Sequence, residues 1–453
     1  MARRRYAALL TLLLVAGCSG GHPSAGAVPD EGPGEIVVAS GRDVTGKNGI
    51  REQLIEAWNQ QQDKAGTGYH ARLVELPGNA DEQRSQLLGA LQSGSADYDV
   101  VNLDVTWVPE FAAARLVRPL PAGTLDADVI KSVADTARWD GKVYAAPFNS
   151  DVGLLYYRSD LLRRAGVSRP ELEQGVSWAR LQELSRAVTK KMPGVMGWTT
   201  QLGAYEGRTV NAIEAFASAV PDFELTDGDG HYDASVRELT DGITELRTRT
   251  DPSYTLPDAF HSDEAESLGD FADGRTEFLR QWPYAYRALH QSFGTDQLGV
   301  APLPGRAVLG GQNLAVTESS GRAAKAAELI TYLTGRQSER CLLDAGFAAT
   351  RTSAYVDNNV TCGAVGAGQT PSASPTGEST DPMPRDAAGR PAYARTTLLP
   401  ALRKAVQRPR TPLYGAFTQT FSARLGPLFR DDRPQDAALA RQLDAALKKA
   451  LPN

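Results

Sequence analysis

Short apolar segments alternate with amphipathic ones through the first third of the sequence, and this alternation limits the folds open to the chain. The strand-like segments lie at 36–39, 69–76 and 98–103. The segments between them, at 49–62 and 81–93, are helical in character, and the second places Leu87, Leu88 and Leu91 on one helical face. Strands that alternate with helices predict an α/β layered domain with a largely parallel sheet.

A second region of alternating elements begins after residue 141. Its predicted strands lie at 143–147, 152–157, 298–300 and 311–317, and its predicted helices begin near Ser159, Ser177 and Ala323. Ser159-Asp160 and Ser177 are predicted helix N-caps, because their side chains accept hydrogen bonds from the first free backbone amides. The chain has 453 residues, enough for two or three domains.

The N-terminus has the features of an export signal. Arg3 to Arg5 precede an uncharged apolar run that ends in Val15-Ala16-Gly17-Cys18, and the run is too short to span a bilayer. Residues 1–17 resemble a bacterial lipoprotein leader, in which Cys18 is acylated and becomes the new N-terminus. The alternative is a plain secretory signal with an incidental cysteine. Residues 18–34 are small, polar and proline-rich, which predicts a flexible tether to the cell membrane.

Composition excludes several classes of partner. The chain carries 54 acidic against 48 basic residues and no basic stripe interleaved with aromatics, so we predict no nucleic-acid partner. Its five histidines are scattered without ligand spacing, and we predict no metal and no cofactor.

The cysteines predict a disulfide. If Cys18 carries the lipid, Cys341 and Cys362 are left as an even pair in an oxidising compartment, and two free buried thiols are the alternative to a bridge between them.

Catalytic motifs are missing or incomplete. Residues 41–48 match most of a phosphate-binding loop, but Asn48 stands where a magnesium-binding hydroxyl is needed. No HExxH, GxSxG or CxxC occurs, and only a glycosidase-like carboxylate pair stays open as enzyme chemistry. Residues 363–392 are rich in Gly, Pro, Ser and Thr and predict a low-complexity surface loop.

Four sequence blocks carry a family resemblance. They are YDVVNLDVTWVPEF at 98–111, GKVYAAPFNSD at 141–151 continuing to LLYYR at 154–158, QWPYAY at 281–286 and GGQNLAV at 310–316. Together they resemble the extracellular solute-binding proteins of carbohydrate ABC importers, the maltose/trehalose-binding-like family. The resemblance covers residues 35–453 apart from the insertion at 363–392.

The resemblance implies a two-lobed periplasmic-binding-protein fold of type II, with the ligand in the cleft between α/β lobes. The N-terminal lobe is expected to comprise 35–148 plus 300–347, and the C-terminal lobe 149–299 plus 348–453. The chain is then expected to cross between lobes near 148–151, 298–301 and 347–352.

Sugar chemistry assigns roles to the residues that match the family. Carboxylates and amides bind neighbouring hydroxyls, and aromatic rings cover the C–H face of a pyranose. The resemblance makes Asp104, Asn149 and Asp151 hydrogen-bonding candidates, and Trp282 and Tyr284 stacking candidates. The alternatives are a helix N-cap for Asp104 and core packing for the two rings.

Further ligand-binding candidates are Tyr205, Glu206, Gly311, Gln312, Arg42, Glu75 and Arg351. Glu206 is a second hydroxyl acceptor in a Tyr-Glu-Gly pattern, and Gly311 would let the backbone approach the sugar, unless it is a structural glycine. Arg42, Glu75 and Arg351 have surface or structural roles as alternatives. Gln312 stands where many relatives have tryptophan, which predicts a ligand other than the usual α-linked glucose disaccharide.

These observations predict a non-enzymatic, extracytoplasmic, lipid-anchored and monomeric binding component of an ABC importer. It would capture a di- or oligosaccharide by hinge closure and present it to permease subunits. Two alternatives stay open: an exported carbohydrate-active enzyme, and a protein of the same fold that binds a non-sugar such as a polyamine, phosphate ester or peptide.

Overall fold

The computed structural model describes residues 31–42, 49–167, 172, 175–363, 381–430 and 433–452. The predicted leader, Cys18 and most of the predicted tether lie outside the described residues. So do positions 43–48 of the segment that partly matches a phosphate-binding loop.

The described chain has eleven strands: Glu35–Gly41 (β1), His70–Leu76 (β2), Val100–Asp104 (β3), Arg138–Trp139 (β4), Lys142–Val143 (β5), Ala146–Val152 (β6), Leu154–Arg158 (β7), Met196–Thr199 (β8), Thr276–Gln281 (β9), Leu298–Pro302 (β10) and Leu309–Val316 (β11). Its sixteen α-helices are Ile50–Ala65 (α1), Ala80–Gln92 (α2), Val108–Ala113 (α3), Lys131–Ala134 (α4), Ser159–Arg164 (α5), Trp178–Lys191 (α6), Glu206–Ala219 (α7), Val236–Arg249 (α8), Glu264–Ala272 (α9), Ala285–His290 (α10), Ala323–Leu333 (α11), Arg336–Asp344 (α12), Thr352–Val356 (α13), Leu399–Lys404 (α14), Tyr414–Leu425 (α15) and Asp436–Ala450 (α16).

Local capping signals begin and end several of these helices. Asn79 accepts a hydrogen bond from the backbone of Glu82, whose side chain returns one to the Asn79 backbone, and this capping box starts α2. Ser177 accepts from the Arg180 amide at the start of α6, which confirms the predicted cap. The prediction for α5 is wrong, because its N-cap position is Arg158 rather than a serine or aspartate.

The first sheet has the order β2-β1-β3-β11-β6. β1 pairs in parallel with β2 and β3, as the strand and helix alternation predicts. β11 is antiparallel to both β3 and β6, so the sheet is mixed rather than largely parallel. The apolar residues of β3 are fully buried, as expected for a strand with neighbours on both sides.

The second sheet has the order β10-β7-β9-β8. The chain leaves the first sheet between β6 and β7, at Gly153, and returns to it between β10 and β11, within 303–308. The boundaries predicted at 148/149 and 299/300 fall inside β6 and β10, yet each of these strands belongs to a single sheet. Strand pairing therefore places the two changes of sheet a few residues later than the motifs suggested.

Apolar packing joins the two sheets and their helices. One cluster of buried side chains runs from Leu103 and Phe111, beside the first sheet, to Val210 and Phe216 of α7 and to Phe417 of α15. The two parts of the molecule are therefore in direct contact in this conformation.

The disulfide predicted from the cysteine count is present between Cys341 of α12 and Cys362. The predicted surface loop 363–392 extends too far at its C-terminal end. Met383 and Arg390 are buried, and the Arg390 guanidinium donates to the Tyr355 carbonyl and to Asn358 Oδ1 at 2.7 and 2.8 Å. Composition could not predict that the end of this segment is ordered, because only two of its side chains, Met383 and Arg390, hold it against the core.

Glu277 in β9 is a buried carboxyl without a described hydrogen-bond partner. Its side chain is fully buried, and neither carboxylate oxygen accepts a hydrogen bond within the described part of the chain. Burial raises the pKa of Glu277 from 4.5 to about 9, because the charged form is removed from water and no cation compensates it.

We expect Glu277→Gln to become progressively more stable than the wild type as the pH rises. Between the unfolded pKa near 4.5 and the folded pKa near 9, the native state holds a proton that the unfolded state releases. Wild-type stability then falls by about 1.4 kcal/mol per pH unit relative to the neutral glutamine variant. Urea unfolding of both proteins at pH 5 and pH 8 measures this, and a constant difference would mean that Glu277 is paired.

Candidate functional site

Polar side chains from several strands meet where β3, β6 and β11 of the first sheet approach the second sheet. The strand register places Gln312 of β11 opposite Asp104 of β3 on one side and opposite Asn149 of β6 on the other. Asp151 follows Asn149 on the same face of β6, because side chains alternate along a strand. The structure therefore brings together four of the predicted residues, and we call this region the junction.

Arg51 of α1 orients two amides of the junction. Its buried guanidinium donates to Asn149 Oδ1 at 3.0 Å and to Gln312 Oε1 at 2.8 Å, as well as to Ser40 Oγ and the Gly41 carbonyl at 3.0 Å each. Because both amide oxygens face Arg51, the amide nitrogens of Asn149 and Gln312 face away from it. These nitrogens donate to no other described residue; Gln312 is partly exposed, whereas Asn149 is buried in this conformation.

Asp104 and Glu206 are held by a shared arginine. Arg408 donates to Asp104 Oδ1 and Oδ2 at 2.9 and 3.1 Å and to Glu206 Oε1 at 2.7 Å. Thr418 donates to Glu206 Oε2 at 2.6 Å, and Thr106 donates to Asp104 Oδ1. Burial raises the pKa of Glu206, although Arg408 opposes the shift. Both predicted acceptors are thus committed to an ion cluster, and Asp104 is not a helix N-cap, since α3 is capped at Trp107.

Asp151 differs from these two carboxylates. It is partly exposed, and its carboxylate accepts no hydrogen bond from any residue that the structure describes. Desolvation raises the pKa of Asp151 to about 7, with Arg51 opposing the shift and Asp104 adding to it. Asp151 is therefore the junction carboxylate most available to a bound molecule.

Trp282 lies beside Asp151 on the second-sheet side. A Cβ built on Gly310 would lie 3.1 Å from Asp151 Cβ and 3.1 Å from the Trp282 ring, so the two side chains flank the same glycine. The Arg280 guanidinium lies 3.8 Å from the centroid of the Trp282 ring, and the indole nitrogen donates to Glu264 at 3.3 Å. The ring is partly exposed and also packs against the apolar cluster that joins the two sheets, so its stacking role stays a prediction, with core packing as the alternative.

Two further aromatic candidates lie near the same carboxylates. Tyr284 is partly exposed. Its pKa is raised mainly by desolvation and, to a smaller extent, by the negative charges of Glu264 and Asp151. Tyr205 is buried, and its hydroxyl donates to Glu264 Oε2 at 2.8 Å. Tyr284 thus lies within reach of the charges of Glu264 and Asp151, whereas Tyr205 supports Glu264.

Four predicted residues have other roles or positions. Gly311 has φ +113°, and a Cβ there would lie 2.4 Å from the Asn149 carbonyl oxygen, so glycine is required by the close approach of β6. Arg351 is buried and bonds Asp126 and the Thr334 carbonyl, none of which belongs to the junction. Arg42 and Glu75 are exposed, and the structure shows no contact of either with the junction.

Sequence reasoning missed Arg51, Arg280, Glu264 and Arg408. One signal existed for Arg51, which occupies the first turn of α1, where the helix dipole disfavours a cation. A second existed for Arg280, which interrupts a strand whose residues are all buried. Arg408 and Glu264 have no comparable local signal.

Two other features lie away from the junction. Asp227, Asp229 and His231 place potential metal-ligating atoms within 4.8 Å of one another on an exposed turn, although Asp227 already accepts from the backbone amides of the other two. A cavity of about 400 Å³ lies between α7 and the segment 405–410, and it meets the junction residues only at Arg408.

Within the described residues, no helix has the length and apolar character needed to cross a bilayer.

Comparison with known proteins identifies relatives of this chain. Residues 53–362 match the family described as bacterial extracellular solute-binding protein. A protein of Deinococcus radiodurans named "Probable ABC transporter-binding protein" is 28% identical over 318 residues, which cover 67% of this chain and 73% of that protein.

Solved structures share the fold across almost the whole chain. Maltose-bound MalE3 of T. maritima has a TM-score of 0.74 at 21% identity, covering 92% of this chain and 100% of that one. The GacH receptor of Streptomyces glaucescens, solved unliganded and with acarbose, has a TM-score of 0.72 at 19% identity, covering 92% of this chain and 98% of that one. These likenesses confirm the predicted α/β fold of two-lobed periplasmic binding proteins.

Proposed function

Because this chain belongs to the family of bacterial extracellular solute-binding proteins, we propose that it captures a di- or oligosaccharide at the junction for an ABC importer. The observation that carries the proposal is the arrangement of Asn149, Gln312, Asp151 and Trp282. Two oriented amide donors, one available carboxylate and one partly exposed indole lie together, and these are the groups that bind sugar hydroxyls and the C–H face of a pyranose.

The ligand is bound between two lobes. The first sheet and its helices form one lobe, and the second sheet and its helices form the other. The chain passes between them at Gly153, within 303–308 and, as the family resemblance implies, a third time near 347–352. The Gly153 amide donates to the Val308 carbonyl at 3.4 Å, so the first two connections touch and can bend as one hinge. Sugar contacts from both lobes then favour the closed conformation, which the permease subunits recognise.

The protein acts as a monomeric carrier and releases its ligand chemically unchanged. Asp104 and Glu206 lie close together, as in a glycosidase, but both are bound to Arg408 and neither is free to act as acid or base. Incubation of the purified protein with any saccharide that binds, followed by chromatography, tests this point. A hydrolysed product would favour a carbohydrate-active enzyme instead.

A thermal-shift screen against neutral and substituted glycans tests the proposed ligand class. A ligand present at about 100 times its Kd stabilises the protein by roughly 2.7 kcal/mol, which gives a clear rise in melting temperature. We expect Trp282→Ala to weaken binding of the best glycan by more than about 2 kcal/mol, because a central aromatic contact is lost.

Trp178→Ala is the matched control for Trp282→Ala. Trp178 packs edge-on against Trp198 at 5.0 Å between ring centroids, in a cluster that does not include the junction. We expect this variant to melt earlier while keeping the wild-type affinity. Equal affinity loss in both variants, or no response to any glycan, would remove the support for a saccharide site at Trp282.

We also propose that the protein is anchored outside the cytoplasm through a lipid on Cys18. The basic and apolar leader that ends in Val15-Ala16-Gly17 supports this assignment. Cys18→Ala is expected to move the protein from the membrane fraction to the medium or to stall its processing. Fractionation of the variant with membranes at the wild-type level would exclude the anchor.

A further inference from the structure

Within the part of the chain that the structure describes, the Asp151 carboxylate has no cation in direct contact, although three arginines lie around it. Arg51 is committed to the oxygens of Ser40, Gly41, Asn149 and Gln312. Arg280 bonds Glu214 at 2.8 Å, and Arg408 bonds Asp104 and Glu206. Each guanidinium therefore has its own acceptors, and none of their hydrogen bonds reaches Asp151.

Among the described residues around the junction, acidic side chains outnumber basic ones. Three guanidiniums stand among five carboxylates, which belong to Asp104, Asp151, Glu206, Glu214 and Glu264. The charged groups whose fields act on Asp151 are Arg51, Asp104, Arg280 and Glu264, and the tyrosines influenced by its charge are Tyr284, Tyr355 and Tyr393. Of these tyrosines, Tyr355 and Tyr393 donate their hydroxyls to backbone carbonyls and offer Asp151 no proton.

A neutral sugar leaves this imbalance in place. A hydroxyl donates one hydrogen bond to a carboxylate but brings no charge, and a partly desolvated carboxylate is stabilised far more by a cation. The partly exposed Trp282 and Tyr284 add aromatic surfaces next to the carboxylate, and such surfaces also attract ammonium groups.

We propose that the saccharide bound at the junction carries a protonated amine, and that this ammonium group binds Asp151. The inference rests on the proposed function and names the class of its ligand as an amino sugar. The amine donates to the Asp151 carboxylate, while the amide nitrogens of Asn149 and Gln312 donate to ring or hydroxyl oxygens of the same ligand.

Proton release follows from this arrangement. With the pKa of Asp151 near 7 in the free protein, part of the population carries the proton on the carboxyl group. When the ammonium group binds, the carboxyl proton leaves to solvent and a carboxylate–ammonium pair remains. The ionised fraction of Asp151 rises from about a tenth at pH 6 to about a half at pH 7, so affinity for an amino sugar should rise about fivefold over that interval.

The test uses three pairs of disaccharides: maltose, cellobiose and trehalose, each with its 2-amino-2-deoxy analogue. Affinities of the purified protein are measured by calorimetry at pH 6 and pH 7. We expect at least one amino sugar to bind tenfold or more tightly than its neutral twin and to gain affinity with pH. Asp151→Asn, which keeps the side-chain volume, should erase both the preference for the amine and the gain in affinity with pH.

Each other outcome overturns the inference in a recognisable way. Equal or tighter binding of every neutral twin would exclude an amino sugar and leave the proposed function standing. A preference for the amine that survives Asp151→Asn would exclude Asp151 as its partner. If none of the six compounds binds and no glycan in the thermal-shift screen stabilises the protein, the proposed function itself is excluded.

Discussion

Arg408→Met is expected to lower the free energy of unfolding by roughly 3–5 kcal/mol at pH 7, as when one partner of a buried ion pair is removed. Only 2% of the Arg408 side chain is exposed, and its loss leaves the Asp104 and Glu206 carboxylates facing each other without a cation. Methionine keeps most of the apolar volume, so the lost charge dominates the effect. The urea midpoint and the melting temperature of the variant measure it.

The pH dependence of this loss has a predicted sign. Burial already raises the pKa of Glu206, and removal of Arg408 raises it further. At acid pH, protonation of Glu206 relieves the repulsion, so the difference between variant and wild type should shrink from pH 7 to pH 5.

Arg180→Met is the matched control for Arg408→Met. Arg180 pairs with Glu183 at 2.9 Å on the surface, where the two side chains are 52% and 57% exposed. Its loss should change stability by less than about 0.5 kcal/mol, since exposed pairs contribute little. If Arg408→Met is no more destabilising than this variant, the Asp104–Arg408–Glu206 cluster does not exist in solution as described.

Arg51→Met is expected to weaken ligand binding by about tenfold to a hundredfold, which corresponds to about 1.5–3 kcal/mol for a lost charge-assisted hydrogen-bond arrangement. Without the guanidinium, the Asn149 amide can rotate and present oxygen in place of nitrogen to the ligand, whereas Gln312 Oε1 still accepts from Asn102 Nδ2 at 2.7 Å. Arg51 acts on the ligand through Asn149 and Gln312, to which it donates, so it is a positioning residue. Calorimetric affinity for the glycan found in the screen is the measurement.

Arg51→Lys separates orientation from charge. Lysine retains the positive charge but has no planar fork that reaches several oxygens at once. We expect its affinity to lie between those of the wild type and of Arg51→Met, with the temperature kept well below each melting temperature. Wild-type affinity in Arg51→Met would show that Arg51 does not set the orientation of the two amides.

The sequence predicted the elements of this fold well and their arrangement less completely. Residues 69–76 and 81–93 were expected as strand and helix, and they form β2 and α2 within a residue or two. The antiparallel insertion of β11 between β3 and β6 was not expected, because a strand more than 150 residues away leaves no trace in local periodicity. The first site candidates came from family motifs, and four of them meet at the junction.

The sequence by itself predicted the alternation of strands and helices, the Ser177 cap of α6 and the even pair of cysteines that forms the disulfide. Each of these depends on residues close together in the chain, where side-chain size, apolar periodicity and backbone hydrogen bonding act locally. Only the tertiary structure decided which polar groups pair with one another and which meet at the junction. Arg51 bonds Gln312 across 261 positions and Arg408 bonds Asp104 across 304, and such contacts form only when strand register and lobe packing bring the groups together. That packing commits Asp104 and Glu206 to an arginine and leaves Asp151 available, a distinction that three acidic residues in a sequence cannot show.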